Sequence, residues 1–237
     1  MSKPAFIHPK AQIWGKVEIG KDTVIEPFCV IHGPATIGKN NLIQAGTVIG
    51  SPAEHRTKKT GLSVIIGDDN IIGANSVITG ATDIHPTTIG DGNLLMAGIH
   101  ISHDCVIGND NTFSHKVILA GECVVMDNVN MGSGSMAHQK TVIGSNAMVG
   151  MGSVLTKDVF PYLLVCGNPA KFHKINIHRL KGYRWSDDNS TNIIKFNELI
   201  TKQNGDIIFE IKRFHEVCGK RGKQRIIYFE EGVYGSE

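Results

Sequence analysis

Isoleucine recurs at every sixth residue along the N-terminal part of the chain. The first eight positions of this series are Ile7, Ile13, Ile19, Ile25, Ile31, Ile37, Ile43 and Ile49. The spacing resumes at Ile66, Ile72 and Ile78, and then continues with mainly apolar residues from Ile89 to Leu155. A helix would repeat every 3.6 residues and a strand every two. Because six is a multiple of two, each unit of six is predicted to be a short strand that points its aliphatic side chain inward and then turns.

The residues between the aliphatic positions suit sharp corners. Gly, Asn and Asp follow the aliphatic residue in many units, as in the stretches Ile-Gly-Lys-Asn and Ile-Gly-Asp-Asp. These three residue types tolerate positive φ more readily than the others. A single unit of six cannot bury its apolar side chain, whereas stacked units share one core. The periodicity therefore predicts a solenoid of short strands.

The composition agrees with this prediction and excludes several classes of protein. The 27 glycines, with 6% aromatic and 19% charged residues, fit a core of small aliphatic side chains and a backbone that turns often. A net charge of +2 argues against a nucleic-acid-binding field over the whole molecule. The chain has no apolar run long enough for a membrane span and no signal-peptide pattern, so we expect a cytoplasmic protein. Five scattered cysteines without a CxxC pair argue against a disulfide framework or a thiolate zinc site.

The six-residue pattern resembles that of the hexapeptide-repeat proteins over residues 1–157. The resemblance implies a mainly β fold, the left-handed parallel β-helix, in which three hexads and 18 residues form each triangular coil. The spacing is interrupted at 51–64 and 80–88, where it falls one residue short of a multiple of six. We expect loops that extend from the β-helix at these two places, and loops on a rigid scaffold often carry function.

The hexad pattern ends after Leu155, and residues 158–237 are predicted to form an extended exit followed by a small helical region. The predicted helices cover 174–184, 189–203 and 206–219. Residues 170–225 contain 13 Lys and Arg against 6 Asp and Glu. This local excess of positive charge is either a solvated helical surface or a docking surface for an acidic partner or a phosphate-bearing ligand.

Residues 18 apart are expected to stack on successive coils, about 4.8 Å from one another. One predicted corner column consists of His103, Gly121 and Gln139, and the adjoining column consists of Asp104, Glu122 and Lys140. His138 adjoins the first column, and His100 lies on the strand that leads to it. The corner of a solenoid needs only Gly, Asn or Asp, so this concentration of other polar residues predicts a functional site.

The chemistry of these columns favours acyl transfer. A His beside a carboxylate is suited to act as a general base. Asp104 is expected to fix the tautomer of His103, and the backbone N–H of Gly121 is expected to stabilise an oxyanion. Taken alone, His100 or His138 is equally well interpreted as an ordinary surface residue.

Longer motifs resemble those of the bacterial UDP-N-acetylglucosamine acyltransferases, the first enzymes of lipid A synthesis. They are GDGNLLMAGIHISHDCVIGND, LAGECVV, MAHQKTVIGSNAMVGMGSVLTKDVFPY, GNPAK and INIHRLKGY, in that order. The resemblance spans nearly the whole chain. It implies a homotrimer with active sites between adjacent β-helices, and transfer of a 3-hydroxyacyl group from acyl carrier protein to a UDP-linked sugar. It also implies that no metal or bound cofactor takes part.

The resemblance also suggests roles for single residues. His103 corresponds to the base that deprotonates the sugar hydroxyl or amine, Asp104 to its partner and Gly121 to the oxyanion donor. Met151 occupies the position that measures the acyl chain, where a bulky residue implies a shorter acyl group, although it is equally able to fill space between subunits. The positions that correspond to substrate-binding residues are Lys58, His100, Glu122, His138, Gln139 and Asn176.

The sequence departs from the family pattern at three places. Glu122 stands where the family usually has His, and Thr79–Thr82 replace a His-Arg-Gly-Thr run. The paired Arg of the last motif is lost to Gly182 and Tyr183, with Arg179 or Arg184 as candidate substitutes. These departures keep open a second enzyme, an acetyl-CoA-dependent N-acetyltransferase that modifies a UDP- or dTDP-linked amino sugar for O-antigen or capsule.

Two further interpretations belong to other classes. A zinc-dependent carbonic anhydrase on the same β-helix would use His100, His103 and His138, but a column of His, Gly and Gln favours acyl transfer over metal binding. A non-catalytic scaffold or binding trimer is the other possibility, and the intact HISHDC motif argues against it.

Overall fold

The strands of the protein stack into three parallel sheets that form the sides of a triangular prism. The computed structural model describes residues 2–56, 61, 63–82, 85–180, 184, 186–202, 205–220 and 226–227. Successive strands pass from one sheet to the next, so each sheet receives every third strand along most of its length. This topology is the β-helix that the period of six predicts.

The strands are assigned to the sheets as follows. The first sheet contains β1 (Phe6–Ile7), β4 (Val24–Ile25), β7 (Leu42–Ile43), β10 (Ile71–Ile72), β13 (Leu94–Leu95), β16 (Thr112–Phe113), β19 (Asn130–Met131), β22 (Met148–Val149), β25 (Leu163–Gly167) and β26 (Ala170–Ile175). The second contains β2 (Gln12–Trp14), β5 (Val30–His32), β8 (Val48–Ser51), β11 (Val77–Thr79), β14 (His100–Ile101), β17 (Ile118–Leu119), β20 (Met136–Ala137) and β23 (Val154–Leu155). The third contains β3 (Val17–Ile19), β6 (Ala35–Ile37), β9 (Val64–Ile66), β12 (Thr87–Ile89), β15 (Val106–Ile107), β18 (Val124–Val125), β21 (Val142–Ile143), β24 (Asp158–Val159) and β27 (Ile226–Ile227).

A buried ladder of asparagines records the length of each coil. The N–H of Asn111 donates to the side-chain oxygen of Asn93, 18 residues earlier. The two preceding steps of the ladder span 23 residues, from Asn93 to Asn70, and 29 residues, from Asn70 to Asn41. The extra residues are those of the two interruptions in the sequence pattern, so the β-helix keeps its register across both.

The core consists of the aliphatic residues at the sixth positions. Ile25, Ile31, Ile43 and Ile49 are fully buried, and each contributes about 1.5–3 kcal/mol to folding through burial of its side chain. Ile7 is 41% exposed because it lies on the terminal coil, where no further coil covers it. The Ile ladder is therefore the continuous core predicted for stacked units.

The second interruption differs from the expected loop. Ala81 and Thr82 are 1% and 0% exposed, so the start of 80–88 packs inside the fold instead of extending from it. The first interruption lies between the end of β8 at Ser51 and the start of β9 at Val64.

The region after the β-helix contains a hairpin that overlaps the start of the first predicted helix. β25 pairs antiparallel with β26, and a 3₁₀ turn follows at Ile177–Arg179. The prediction of an α-helix over 174–184 is wrong for 174–180, because strand β26 continues to Ile175, which is buried, and only the short 3₁₀ turn follows it. Two α-helices follow, α1 (Asn189–Thr201) and α2 (Gly205–Gly219).

The two helices are attached to the β-helix by both apolar and charged contacts. Phe214 of α2 is fully buried, with its ring centroid 5.6 Å from that of Phe160. Arg213 forms an ion pair with Asp127, which follows β18. Neither α1 nor α2, nor any other helix in the described ranges, has the length and apolar character that a membrane crossing requires.

Candidate active site

The candidate site lies at the corner between the second and third sheets, where the chain passes from β14 to β15. Ile101 and Cys105 are fully buried on either side of this corner and fix its position. Between them, Asp104 adopts a left-handed backbone conformation with φ of 58°. This sharp turn allows the side chains of His103 and Asp104 to meet, whereas consecutive side chains on a straight strand point to opposite faces.

His103 and Asp104 form a hydrogen-bonded pair. The Nδ1 atom of His103 lies 2.8 Å from Oδ2 of Asp104, and their side chains are 13% and 0% exposed. An ionised carboxylate only accepts hydrogen bonds, so we assign the proton of the neutral imidazole to Nδ1. This tautomer leaves Nε2 with a free lone pair, as a general base requires.

The carboxylate of Asp104 is held by residues of the second interruption. The N–H of Thr82 donates to Oδ1 at 2.9 Å, and the hydroxyl of Thr82 donates to Oδ2 at 2.7 Å. Burial raises the pKa of Asp104, but the hydrogen bonds from Thr82 and His103 lower it more, so its pKa lies below the ordinary value. Asp104 is therefore ionised near neutral pH and is able to stabilise a protonated His103.

Gly121 lies directly beneath the imidazole of His103. A Cβ atom at Gly121 would lie 2.6 Å from Cε1 and 2.7 Å from Nε2 of His103, closer than real contacts allow. The carbonyl of Gly121 accepts a hydrogen bond from the N–H of Lys140, whereas none of the described residues offers an acceptor to the Gly121 N–H. Gly121 therefore makes room for the ring and leaves an N–H without a backbone partner in this part of the chain.

The second predicted column is also present. The N–H of Glu122 donates to the carbonyl of His103, on the preceding coil, at 2.9 Å. The Glu122 carboxylate lies 3.7 Å from the ammonium of Lys140, on the following coil. Their side chains are 23% and 59% exposed, and a pair this accessible to solvent contributes little to stability.

The remaining sequence candidates are placed at different distances from this corner. His100 lies half-buried on β14, while His138 and Gln139 are exposed on the coil that contains β20. Met151 is 78% exposed and follows β22 of the first sheet, so it lies at another corner of the same chain. Lys58 lies outside the described residues.

Asn176 belongs to a separate cavity near the C-terminal hairpin. It is 5% exposed, and its side-chain amide donates to the carbonyl of Asn146 at 2.8 Å. The cavity has a volume of about 340 Å³ and is lined by Asn130, Met148, Asn176, His178 and Arg179. His178 and Arg179 provide it with donors for an anionic group.

The sequence comparisons identify hexapeptide repeats and one curated relative. The family model "Bacterial transferase hexapeptide (six repeats)" matches residues 16–51, and "Hexapeptide repeat of succinyl-transferase" matches 63–110 and 123–157. An acyl-[acyl-carrier-protein]–UDP-N-acetylglucosamine O-acyltransferase of Pseudomonas putida is 33% identical over 159 residues, which cover 66% of this chain and 62% of the relative. The match thus spans less than two thirds of that relative's length.

Solved structures extend the similarity to almost the whole chain. The UDP-N-acetylglucosamine acyltransferase of Francisella novicida aligns with a TM-score of 0.76 and 27% identity over 94% of this chain and 92% of its own. The UDP-N-acetylglucosamine O-acyltransferase of Moraxella catarrhalis aligns with a TM-score of 0.75 and 28% identity, over 94% of this chain and 98% of its own. A third solved UDP-N-acetylglucosamine acyltransferase is 30% identical over 97% of this chain and 98% of its own, with a TM-score of 0.65. The chain belongs to the UDP-N-acetylglucosamine acyltransferase family. Its fold is accordingly the left-handed β-helix expected from the hexapeptide resemblance.

Three residues lie beside the His103–Asp104 pair although the sequence pattern assigned them no contact with it. Thr82 binds the Asp104 carboxylate, and the hydroxyl of Thr87 accepts a hydrogen bond from the N–H of Asp104 at 2.9 Å. The ring centroid of His55, in the first interruption, lies 5.6 Å from that of His103 with an interplanar angle of 82°. The interruptions in the period indicated where such residues would come from, but a periodic pattern assigns no partner to residues outside it.

No group of three or more His, Cys, Asp or Glu side chains within the described ranges is arranged to hold a metal ion.

Proposed function

We propose that this chain is an acyltransferase that moves an acyl group from a thioester to a UDP-N-acetylglucosamine-like sugar nucleotide. The observation that carries the proposal is the His103–Asp104 hydrogen bond of 2.8 Å, directly above the backbone of Gly121. A general base and an N–H that none of the described residues engages, on adjacent coils, are the two groups that acyl transfer requires. The family to which the chain belongs supports the same activity.

In the proposed mechanism, His103 moves one proton. Its Nε2 accepts the proton of the sugar hydroxyl or amine as that atom attacks the thioester carbonyl. The negative charge on the tetrahedral oxygen is stabilised by the N–H of Gly121, and the ionised Asp104 stabilises the imidazolium. Collapse of the intermediate breaks the carbon–sulfur bond, and the thiolate takes the proton back from His103.

The favoured donor is an acyl thioester of acyl carrier protein. Coenzyme A thioesters are the competing donors. The printed name of the Pseudomonas putida relative includes an acyl carrier protein donor. The excess of positive charge in residues 170–225 suits an acidic carrier protein. We expect faster transfer from the carrier protein than from coenzyme A when both carry the same 3-hydroxyacyl chain, and a reversed preference would contradict this assignment.

The alternative acceptor chemistry is N-acetylation of an amino sugar. Glu122 favours it, since this carboxylate lies one coil from His103 where the family usually has a His. An ammonium group on the acceptor would be attracted to a carboxylate at that place. Incubation of the protein with acetyl-CoA and UDP- or dTDP-linked amino sugars tests whether it N-acetylates an amino sugar. A product that forms only from 3-hydroxyacyl donors and a hydroxyl acceptor would exclude N-acetylation.

A homotrimer with sites between neighbouring chains is part of the proposal. Ile118 and Met136 are exposed direct neighbours on the outer face of the second sheet, which suits burial against another copy. Met151 reaches the His103 site only from an adjacent chain, and there it would limit the length of the acyl group. Cytoplasmic location and a role in lipid A synthesis also belong to this proposal.

The cavity beside Asn176 is the proposed site for the diphosphate of the nucleotide. His178 and Arg179 supply positive charge or hydrogen-bond donors where the family's Arg pair is missing. His100, His138 and Gln139 are the proposed contacts of the sugar. Lys58 stays a prediction for a phosphate or acyl-donor contact.

The experiment that tests the function is replacement of His103 by Ala, with product detected by mass spectrometry. Loss of a general base is expected to lower kcat by about 10²–10⁴-fold. His173→Ala, an exposed histidine on β26, is the matched control and is expected to retain full activity. Unchanged turnover of His103→Ala, with the carrier protein donor and UDP-N-acetylglucosamine, would overturn the assigned role.

A further inference from the structure

We propose that Thr82 is a positioning residue for the reaction, because it holds the carboxylate of Asp104 in the orientation that binds His103. The inference rests on the proposed function and adds a residue that lies outside the periodic columns. Among the described residues, both the N–H and the hydroxyl of Thr82 donate their hydrogen bonds to Asp104. Thr82 acts through Asp104 alone.

The second interruption delivers Thr82 to the corner. A regular coil would separate stacked residues by 18, whereas the coil that contains this interruption spans 23. Thr82 and Asp104 are 22 residues apart, and Thr87 and Asp104 are 17 apart. The extra residues allow the chain to contact Asp104 twice, with Thr82 on its carboxylate and Thr87 on its N–H.

The contacts fix both oxygens of the carboxylate. Oδ1 accepts from the Thr82 N–H at 2.9 Å, and Oδ2 accepts from the Thr82 hydroxyl at 2.7 Å and lies 2.8 Å from His103 Nδ1. Thr82 and Asp104 are both fully buried, so water does not replace these bonds. Rotation of the carboxylate would break bonds on both oxygens, and the His103 ring therefore has a fixed partner.

Removal of the Thr82 hydroxyl is expected to weaken two properties of His103. The Asp104 carboxylate accepts hydrogen bonds from three donors, the Thr82 N–H, the Thr82 hydroxyl and His103 Nδ1. It would lose one of them, so the Nδ1–H tautomer of His103 would be less strictly held. The orientation of the ring would also be less strictly held, because the carboxylate that binds Nδ1 would be freer to rotate. The other groups around His103 are His55, whose ring contacts it, and Glu122 and Lys140 in the adjoining column.

The test compares Thr82→Val, which has nearly the same shape, with Thr82→Ser, which restores the hydroxyl. Thr23→Val is the matched control, since Thr23 is equally buried at a distant corner, where its hydroxyl donates to Gly38 and accepts from Asn41. The full-length protein labelled with ¹⁵N-histidine gives the tautomer of His103 by NMR. Steady-state kinetics with the acyl donor and UDP-N-acetylglucosamine give kcat and KM separately.

For Thr82→Val we expect about a 10–100-fold lower kcat with KM within about 3-fold, in the range by which misplaced catalytic groups slow enzymes. We expect the Nδ1–H tautomer of His103 to lose population. Thr82→Ser should recover kcat to within about 3-fold, and Thr23→Val should leave both readouts unchanged. Thr82→Ala is the second hydroxyl-free variant if the Val variant does not fold.

An unchanged tautomer population in folded Thr82→Val or Thr82→Ala would overturn the proposal, as would an equal change of tautomer in Thr23→Val. The NMR readout separates this failure from that of the proposed function. A wild-type chain without acyl transfer, in which Thr82→Val still changes the His103 tautomer, would refute the activity and support the contact.

Discussion

At the residue scale, the site depends on one backbone conformation. Asp104 has φ of 58°, and a non-glycine residue in this region costs about 1–2 kcal/mol. The next two residues of its column, Glu122 and Lys140, share this conformation with φ of 62° and 67°. The cost is offset at Asp104 by donors from Thr82 and His103, so the strained corner and the hydrogen-bonded carboxylate stabilise each other.

Gly121→Ala tests the steric role of this glycine. The added Cβ would lie within 2.7 Å of His103 Nε2, so the ring is expected to move and kcat to fall by about 100-fold. Gly219→Ala, at the end of α2, is the control because a Cβ there meets nothing within 4 Å. A crystal structure and kinetics of both variants would check this, and an active Gly121→Ala with an unmoved ring would contradict it.

Asp104 gives the stability of the protein a defined dependence on pH. Its pKa is lower in the folded state than the unfolded value of about 3.9, so the ionised carboxylate stabilises the fold above that pH. This contribution is lost as the pH falls through the folded pKa. Asp104→Asn is expected to lose about 1–3 kcal/mol at pH 7, and the difference from wild type should narrow toward pH 3.

Urea unfolding at pH 7 and at pH 3 measures this effect. Asp110→Asn is a suitable control, because Asp110 has the same left-handed conformation at an exposed corner. A difference between Asp104→Asn and wild type that stays constant with pH would argue against an ionised, stabilising Asp104.

At the element scale, the hairpin of β25 and β26 shows where local pattern is ambiguous. The apolar residues of 174–184 have spacings that predict a helix. Leu163 instead pairs with Ile175 across an antiparallel ladder, and both are buried against the end of the β-helix. Burial on the last coil overrides helical propensity, which is a weak preference. The predicted helices 189–203 and 206–219 correspond to α1 and α2 within two residues at each end.

The attachment of α2 is expected to depend on Phe214. Phe214→Ala removes a fully buried ring next to Phe160 and should lower the free energy of unfolding by about 3–5 kcal/mol. Phe209→Ala on the same helix is the control, because Phe209 is 62% exposed and its loss should change stability by less than about 0.5 kcal/mol. Denaturant unfolding measures both, and equal effects would contradict this packing.

At the scale of the whole molecule, charge and apolar surface are segregated. The net charge of +2 conceals the basic region of residues 170–225, which contains 13 Lys and Arg. The outer face of the second sheet carries exposed apolar residues, including Ile118 and Met136. Stacked coils present such residues as continuous stripes, which suits contact between parallel β-helices more than contact with water.

Ile118→Asp is expected to break the proposed trimer. A charge on the sheet face would be buried without a partner at the interface. Light scattering should give about 77 kDa for wild type, three times the 25.7 kDa chain, and a smaller mass for the variant. Ile194→Asp, 62% exposed on α1, should leave the mass unchanged. A monomeric wild type at working concentration would contradict the trimer.

The sequence by itself determined the β-helix and most of its corner columns. The period of six forces each sixth side chain inward, and coils of 18 residues then place His103 above Gly121 without further information. The tertiary structure alone decided the partners that lie outside the period. Thr82 and His55 reach His103 and Asp104 from the two interruptions, whose path depends on packing across coils. The same holds for the hairpin of β25 and β26, since its strands are stabilised by burial against a coil that is distant from Ile175 in sequence.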